Sequence, residues 1–322
     1  MRTINWVLTA TLGLLLVTGG VHAQQRYPTK PIRLIVPYAP GGGTDIVARM
    51  LAQKLSESLG ASVVVDNRSG AAGTIGTETA VRANPDGYTM IMVSAAYAAN
   101  ASLYNLPYNA VNDVVPIALI GETGLVVTLH PSVPVKSIKE LIAYDKANPG
   151  KLNYGSSGIG GTTHLAAELF NQMASTKMAH VPYKGTGAAL IDLLGGQIQL
   201  TIGGMPPMIP QIKLNRLRGI AVTTAKRSNA VPDIPTVGET VPGYEALQWF
   251  AVLGPTALPK DIVARWNREI DRIVQLPDVK ERMTGEGMEP AGGSSERFRE
   301  VLKRDIAKWQ KVVKTAGIKP GN

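Results

Sequence analysis

The sequence predicts an α/β protein folded as two lobes, and three observations point there. Strand-like apolar runs alternate with segments whose apolar residues repeat at helical spacing, the rhythm of strand-helix-strand units and hence of a mainly parallel sheet covered by helices. That rhythm restarts at Leu125. At 322 residues and 44% hydrophobic composition the chain can bury a large core, and beyond about 250 to 300 residues one core usually divides into two.

Met1 and Arg2 give a short positive start, Trp6 to Val17 is an apolar stretch of secretory length, and Val21-His22-Ala23 ends it with a small-x-small cleavage pattern. Residues 1–23 are therefore expected to be a cleavable signal peptide, with the mature chain beginning at Gln24. Thr18, Gly19, Gly20 and His22 interrupt the stretch before the roughly 20 apolar residues that a membrane span needs. Ile32 to Pro37 then reads as strand and Asp45 to Leu59 as helix, Ser62 to Val65 as strand and Ala72 to Arg82 as helix. Tyr88 to Val93 is a strand followed by a polar stretch. In the second half Leu125 to Leu129 is a strand, Ser137 to Asn148 a helix, Leu152 to Gly155 a strand and His164 to Met173 a helix, with a turn at Asn148-Pro149-Gly150. Ile198 to Ile202 and Gly219 to Val222 are further strands, Val231 to Pro242 is an ordered loop, and from Asp261 the chain is mostly helical.

The absence of cysteine excludes disulfides, thiolate metal sites, cysteine nucleophiles and a lipid-anchored cysteine. An exported, unanchored chain of this kind fits a bacterial periplasm. The formal charge of +9 admits anionic partners, but its distribution argues against nucleic acid. The fourteen bases from Lys260 to Lys319 interleave with ten acids, the pattern of solvated helix surfaces, and no aromatic-studded basic stripe accompanies them.

Two segments share one design of strand, glycine loop, polar cap and helix: Arg33 to Asp45 leading into Ile46 to Leu55, and Asn153 to His164 leading into Leu165 to Met173. A glycine loop at a helix start exposes N–H groups that lack intrahelical acceptors, and the helix dipole adds partial positive charge, so such an end attracts anions. One loop alone is as well explained as a tight connection capped by Thr44 or Asp45. Two matching loops, one per lobe, place two helix ends on one anionic group or on opposite ends of a diacid.

Competing motifs fail on their spacing. No Gly-Lys-Ser/Thr follows a glycine loop, and Gly158-Ile159-Gly160 runs into Gly161-Thr162-Thr163, which breaks the dinucleotide pattern. Tyr154-Gly-Ser-Ser-Gly158 lacks the Gly-x-Ser-x-Gly of a hydrolase elbow. His164 and Glu168 lie one helical turn apart, yet His130 and His180 add no metal-like cluster, so neither a metal nor a cofactor is expected.

Tyr27-Pro-Thr-Lys-Pro-Ile-Arg-Leu-Ile-Val-Pro-Tyr-Ala-Pro-Gly-Gly-Gly-Thr-Asp45 resembles the opening signature of the Bug-type receptors, the solute-binding proteins of tripartite tricarboxylate transporters. Val64 to Gly76, Pro85-Asp-Gly-Tyr-Thr-Met90, Lys151 to Gly158, His180-Val-Pro-Tyr-Lys-Gly185 and Asp233-Ile-Pro-Thr-Val237 are similar to successive blocks of that family, so the likeness spans essentially the whole mature chain. The resemblance implies a two-lobed periplasmic-binding-protein fold of type II-like organisation, with a hinge of two crossing segments and a ligand cleft between the lobes. It implies lobe 1 over 24–124 plus 248–322 and lobe 2 over 125–247. It also implies a monomeric, non-enzymatic receptor that holds a small carboxylate, whether di- or tricarboxylate, amino acid or aromatic acid, and delivers it to integral-membrane permease subunits. A receptor that signals to a membrane kinase would need the same site, and a periplasmic enzyme in the same shell is the rival class.

Carried onto this sequence, the family's first loop offers Gly42, Gly43, Thr44 and Asp45, with Tyr38 before them, and the second offers Ser156, Gly160, Gly161, Thr162 and His164. Ser94 at a strand end and Lys184-Gly185 ahead of a helix near Ala188 are implied as further cleft contacts. Two departures stand out: Gly161 where family members often have Ser, and Asn100-Ala101-Ser102-Leu103-Tyr104 where an Asn-Pro pair is usual. Asp45 either caps its own helix or receives an amino or hydroxyl group of the ligand. Lys184 is either a surface charge or the partner of a distal carboxylate.

Overall fold

A computed structural model describes residues 27–316. The expected signal peptide, 1–23, lies outside the described residues. The described residues begin with strand β1 (Ile32–Val36), helix α1 (Gly43–Leu59), β2 (Val63–Asn67), a 3-10 turn (Ala71–Gly73), α2 (Thr74–Val81), β3 (Thr89–Ser94) and α3 (Ala96–Leu103). The long β4 (Val114–Leu129) leads into α4 (Ile138–Ala147), β5 (Asn153–Ser156), α5 (Thr162–Ala174), β6 (Ala179–Pro182) and α6 (Thr186–Leu194). Next come β7 (Leu200–Gly204), α7 (Met205–Lys213), β8 (Arg218–Val222) and β9 (Leu247–Pro255). The described residues close with α8 (Lys260–Val274), α9 (Pro277–Gly285), β10 (Met288–Pro290) and α10 (Ser295–Ala316).

The strands run in the order β2-β1-β3-β9-β4-β7-β5-β6, with β8 and β10 also paired to β4. Within each half the helix-linked strands are parallel, as β1 with β2 and β3, and β5 with β6 and β7. The sheet as a whole is mixed, which corrects the expected mainly parallel one. Strand β4 runs antiparallel to β7, β8, β9 and β10, and β3 runs antiparallel to β9. The reason lies in β4, which pairs with β9 over Val114–Gly124 and with β7 over Leu125–Leu129. One 16-residue strand thus serves two sheets, and register shifts between Pro116 and Ala118 and between Leu119 and Gly121 bend it.

Helices cover both faces of each sheet. In the first, α1 and α8 bury Leu51, Leu55, Trp266 and Ile270 against Leu34, Met90 and Met92, while Phe298 and Leu302 of α10 pack with Val93 and Leu253 on the opposite face. In the second, Phe170 of α5 and Leu141 of α4 meet Val127 and Ile202, and α6 and α7 cover the other face through Leu193, Met205 and Met208. Helix-faced parallel strands put their carboxyl ends, and the helix starts that follow, along one edge of each sheet. The first glycine loop follows β1 on one sheet and the second follows β5 on the other.

Candidate ligand-binding site

Tyr38, Gly42, Gly43, Thr44, Ser94 and Thr162, all predicted from the sequence, line one buried cavity. Ser157, Thr186, Gly204 and Gln248 complete the wall, and none of these four was foreseen. The cavity is small, about 20 Å³, the room of one water-sized group. The first residues of α1, α5 and α6 and the residue capping α7 surround it, and the residues that cap these four helices are Gly42, Gly161, Gly185 and Gly204. None of the four glycines has a side chain to accept from the first-turn N–H groups. Away from the cleft the contrast is plain, since Ser137 at the start of α4 accepts from the Glu140 amide.

Two helix starts were legible as glycine loops. The start of α7 was hidden because Pro206, Pro207 and Pro210 read as helix breakers, although proline suits the first helical turn, where an N–H has no partner to lose. The start of α6 lies at Thr186, two residues before the expected Ala188. Gln248 lies on β9, an apolar strand with no motif of its own, opposite Thr123 at the point where β4 passes from one sheet to the other.

Thr162 carries the least satisfied polar atom of the wall. The residue is 3% exposed and its Oγ1 has no hydrogen-bond partner among the described residues. A buried hydroxyl left unpaired costs about 1–3 kcal/mol, so it marks a place where a ligand oxygen would be welcome. Tyr38 and Ser94 are also buried, and the Ser94 hydroxyl donates to Tyr38 Oη at 3.3 Å. Burial pushes the Tyr38 hydroxyl up to about 12, outweighing the opposing effect of Ser94, so it stays protonated.

Asp45 is turned away from this wall. Its carboxylate accepts from the Gly41 amide at 2.9 Å, Arg49 Nε at 3.0 Å and Asn67 Nδ2 at 3.0 Å, and Asn67 also donates to the Tyr38 carbonyl. Burial raises its pKa, but the hydrogen bonds from Arg49, Gly41 and Asn67 win and hold the carboxyl below its ordinary value. The side chain is thereby spent on fixing the first glycine loop.

The other predicted residues flank the cavity without lining it. Ser156 Oγ lies 2.6 Å from His180 Nε2 and accepts from the Gly158 amide at 3.1 Å. His164 Nδ1 accepts from the Gly160 amide at 3.0 Å, which folds the second loop back onto α5. Its ring stacks on His180 with centroids 4.0 Å apart, and Tyr154 stacks on both, at 4.9 Å from His180 and 6.4 Å from His164. Burial pushes His164 down to about 4, and burial followed by the neighbouring His164 does the same to His180, so both rings are neutral. Glu168 accepts from Tyr154 Oη at 2.6 Å, and no cluster of three metal-ligating side chains occurs among the described residues. A Cβ on Gly161 would meet Ser157 Oγ, so a side chain there would have to displace that hydroxyl.

Lys184 and Gly185 form a seam between the two sheets' loops. The Ala39 amide donates to the Lys184 carbonyl at 3.1 Å, and a Cβ on Gly185 would lie 2.9 Å from the Ala39 nitrogen. Gly187 is pressed still closer, against the Pro40 carbonyl. Tyr104 Oη adds a second bridge, donating to the Ile159 carbonyl at 2.6 Å.

A family model described as the tripartite tricarboxylate transporter family receptor matches residues 47–318. The chain belongs to this receptor family. It is a family of solute-binding receptors and not of enzymes. The receptor is 36% identical over 319 residues to Protein BugT of Bordetella pertussis, covering 97% of this chain and 98% of that one. Among solved structures it superposes on Rpa4515 of R. palustris with adipate at a TM-score of 0.89, with 38% identity over 92% of this chain and 100% of that one. It superposes on MatC of Rhodopseudomonas palustris with bound malate at 0.84, with 28% identity over 89% and 100%.

Proposed function

We propose that this receptor works in the periplasm, where it closes on one carboxylate of a small organic acid and delivers the acid to the permease subunits of a tripartite tricarboxylate transporter. One observation carries the reading: four glycine-capped helix starts converge on one small cavity whose wall includes the unpaired Thr162 hydroxyl. Uncapped N–H groups and aligned dipoles stabilise a carboxylate without a formal counter-charge, and exclusion of water strengthens each hydrogen bond. The adipate of Rpa4515 and the malate of MatC support the same ligand chemistry. In this reading lobe 1 is 24–124 with 248–322, lobe 2 is 125–247, and β4 and β9 form the hinge. The working unit is a monomer, and residues 1–23 are removed on export.

Calorimetric titration of the mature protein with mono-, di- and tricarboxylates tests the reading. At least one class binds, and Thr162→Val, which keeps the shape and removes the hydroxyl, lowers its affinity about tenfold or more while the ligand-free protein loses no stability. Silence across the panel from folded, ligand-free protein would sink the carboxylate assignment. Deleting the gene abolishes uptake of the bound acid; unchanged uptake would move the role to sensing.

A further inference from the structure

Bases and acids interleave along the last helices in sequence, but folding separates the two signs at α10. On α8 and α9 bases stand beside acids, as Arg272 does with Glu269 at 3.1 Å and Arg282 with Glu286 at 3.2 Å. On α10 the acids Glu296 and Glu300 fall in the first half, whereas the second half exposes Lys303, Arg304, Lys308, Lys311 and Lys314. Asp305, the one carboxylate among these five, is turned inward and accepts from Trp249 Nε1 at 2.6 Å. Lys303 meets Glu300 at 3.2 Å and Arg304 meets Asp305 at 3.5 Å. Lys308, Lys311 and Lys314 form no ion pair among the described residues.

At 3.6 residues per turn the five bases fall within about 140° of the helix circumference. Phe298, Leu302, Trp309 and Val313 are buried on the opposite side, so the basic face looks straight into solvent. The helix dipole favours bases in the last turn only, and Lys303, Arg304 and Lys308 lie two or more turns before the end of α10. A basic helix face of this kind fits an anionic lipid surface, where many weak attractions act together. The apolar side of α10 is already packed in the protein, so nothing is left to insert into a bilayer, and attachment rests on charge alone. α10 packs on α3 and on Val93 and Leu253 of the first sheet. Contact through its outer face therefore leaves the loops of the second sheet free to part and close.

We propose that the basic face of α10 holds the receptor reversibly on an anionic phospholipid surface, so that it meets its permease by moving along the membrane. The inference rests on the periplasmic reading above and is independent of which acid is bound. Sedimentation of the mature protein with phosphatidylcholine vesicles, with and without about one third phosphatidylglycerol, tests it. Binding is expected to the anionic vesicles only, and is reversed by about 1 M salt, which screens charges beyond about 3 Å. The triple variant Lys308→Gln, Lys311→Gln, Lys314→Gln partitions about a hundredfold less, since each base beside such a surface strengthens binding about fivefold. A control loses the same three charges elsewhere, at the exposed Lys139, Lys146 and Lys151, and partitions within about tenfold of wild type. Both variants keep the wild-type affinity for carboxylate, measured in solution without lipid. Absence of binding to anionic vesicles, equal binding to neutral ones, or equal losses in the two triple variants would overturn the inference. So would impaired uptake in cells carrying the α10 variant when wild type ignores lipid, a result that would assign the face to an acidic segment of the permease. Failure of every carboxylate to bind would touch the ligand reading and not this one.

Discussion

Asp45 shows how a charged residue beside an anion site can serve it without meeting the anion. Its two oxygens are occupied by Gly41, Arg49 and Asn67, so the negative charge is compensated and the first loop is fixed. Asp45→Ala strands the Gly41 amide and the Asn67 side chain, and loses about 2 kcal/mol of stability together with most of the affinity for any carboxylate. Chemical denaturation and titration of the variant measure the two losses. Equal affinity in the variant and wild type would mean that the loop holds its shape without the carboxylate. Because folding lowers the Asp45 pKa, its contribution is complete above the unfolded value near 3.9 and is lost as pH falls through the folded one.

The loop from β5 to α5 is an element braced by aromatic stacking. Neutral His164 accepts the Gly160 amide and lies against neutral His180, which in turn lies against Tyr154. Both histidines sit at about 4 when folded and near 6.5 when unfolded, so between those values the unfolded chain binds the additional protons. Stability is therefore complete above pH 6.5 and falls as the pH drops from there toward about 4. Denaturant midpoints measured at intervals across that window are expected to fall steadily on acidification. In a His164→Phe, His180→Phe protein the slope is expected to flatten. An unchanged slope in the double variant would assign the pH dependence to other groups.

At the scale of the whole molecule, the two sheets meet across a seam without room for side chains. A cavity of about 20 Å³ admits no organic acid, so capture requires the loops to part and close again. Gly187 lies where its Cβ would strike the Pro40 carbonyl and come within 2.9 Å of the Gly42 nitrogen. Gly187→Ala is expected to hold the loops apart. Small-angle scattering should then show no ligand-induced compaction, and affinity should fall about tenfold or more, the result of a lost closed state. Normal compaction with wild-type affinity would show that the seam yields elsewhere.

The residues themselves determined much of this protein. Alternating apolar runs gave most strands and helices of both halves, and the spacing of glycines before Thr44 and Thr162 identified two of the four helix starts, because close approach to a backbone N–H demands the absence of a Cβ in any tertiary setting. Whole blocks such as Tyr27 to Asp45 and His180 to Gly185 carried the family. Tertiary structure decided the rest. The buried strand β9 has no periodicity to betray it, so neither the mixed sheet nor Gln248 was legible, and α3 and the proline-rich α7 lacked local signals of helix. Which way Asp45 points, how His164 finds His180 and how Gly185 and Gly187 come to face Ala39 and Pro40 all depend on contacts between distant segments. A sequence records which residues permit such contacts; only the folded chain brings their partners within reach.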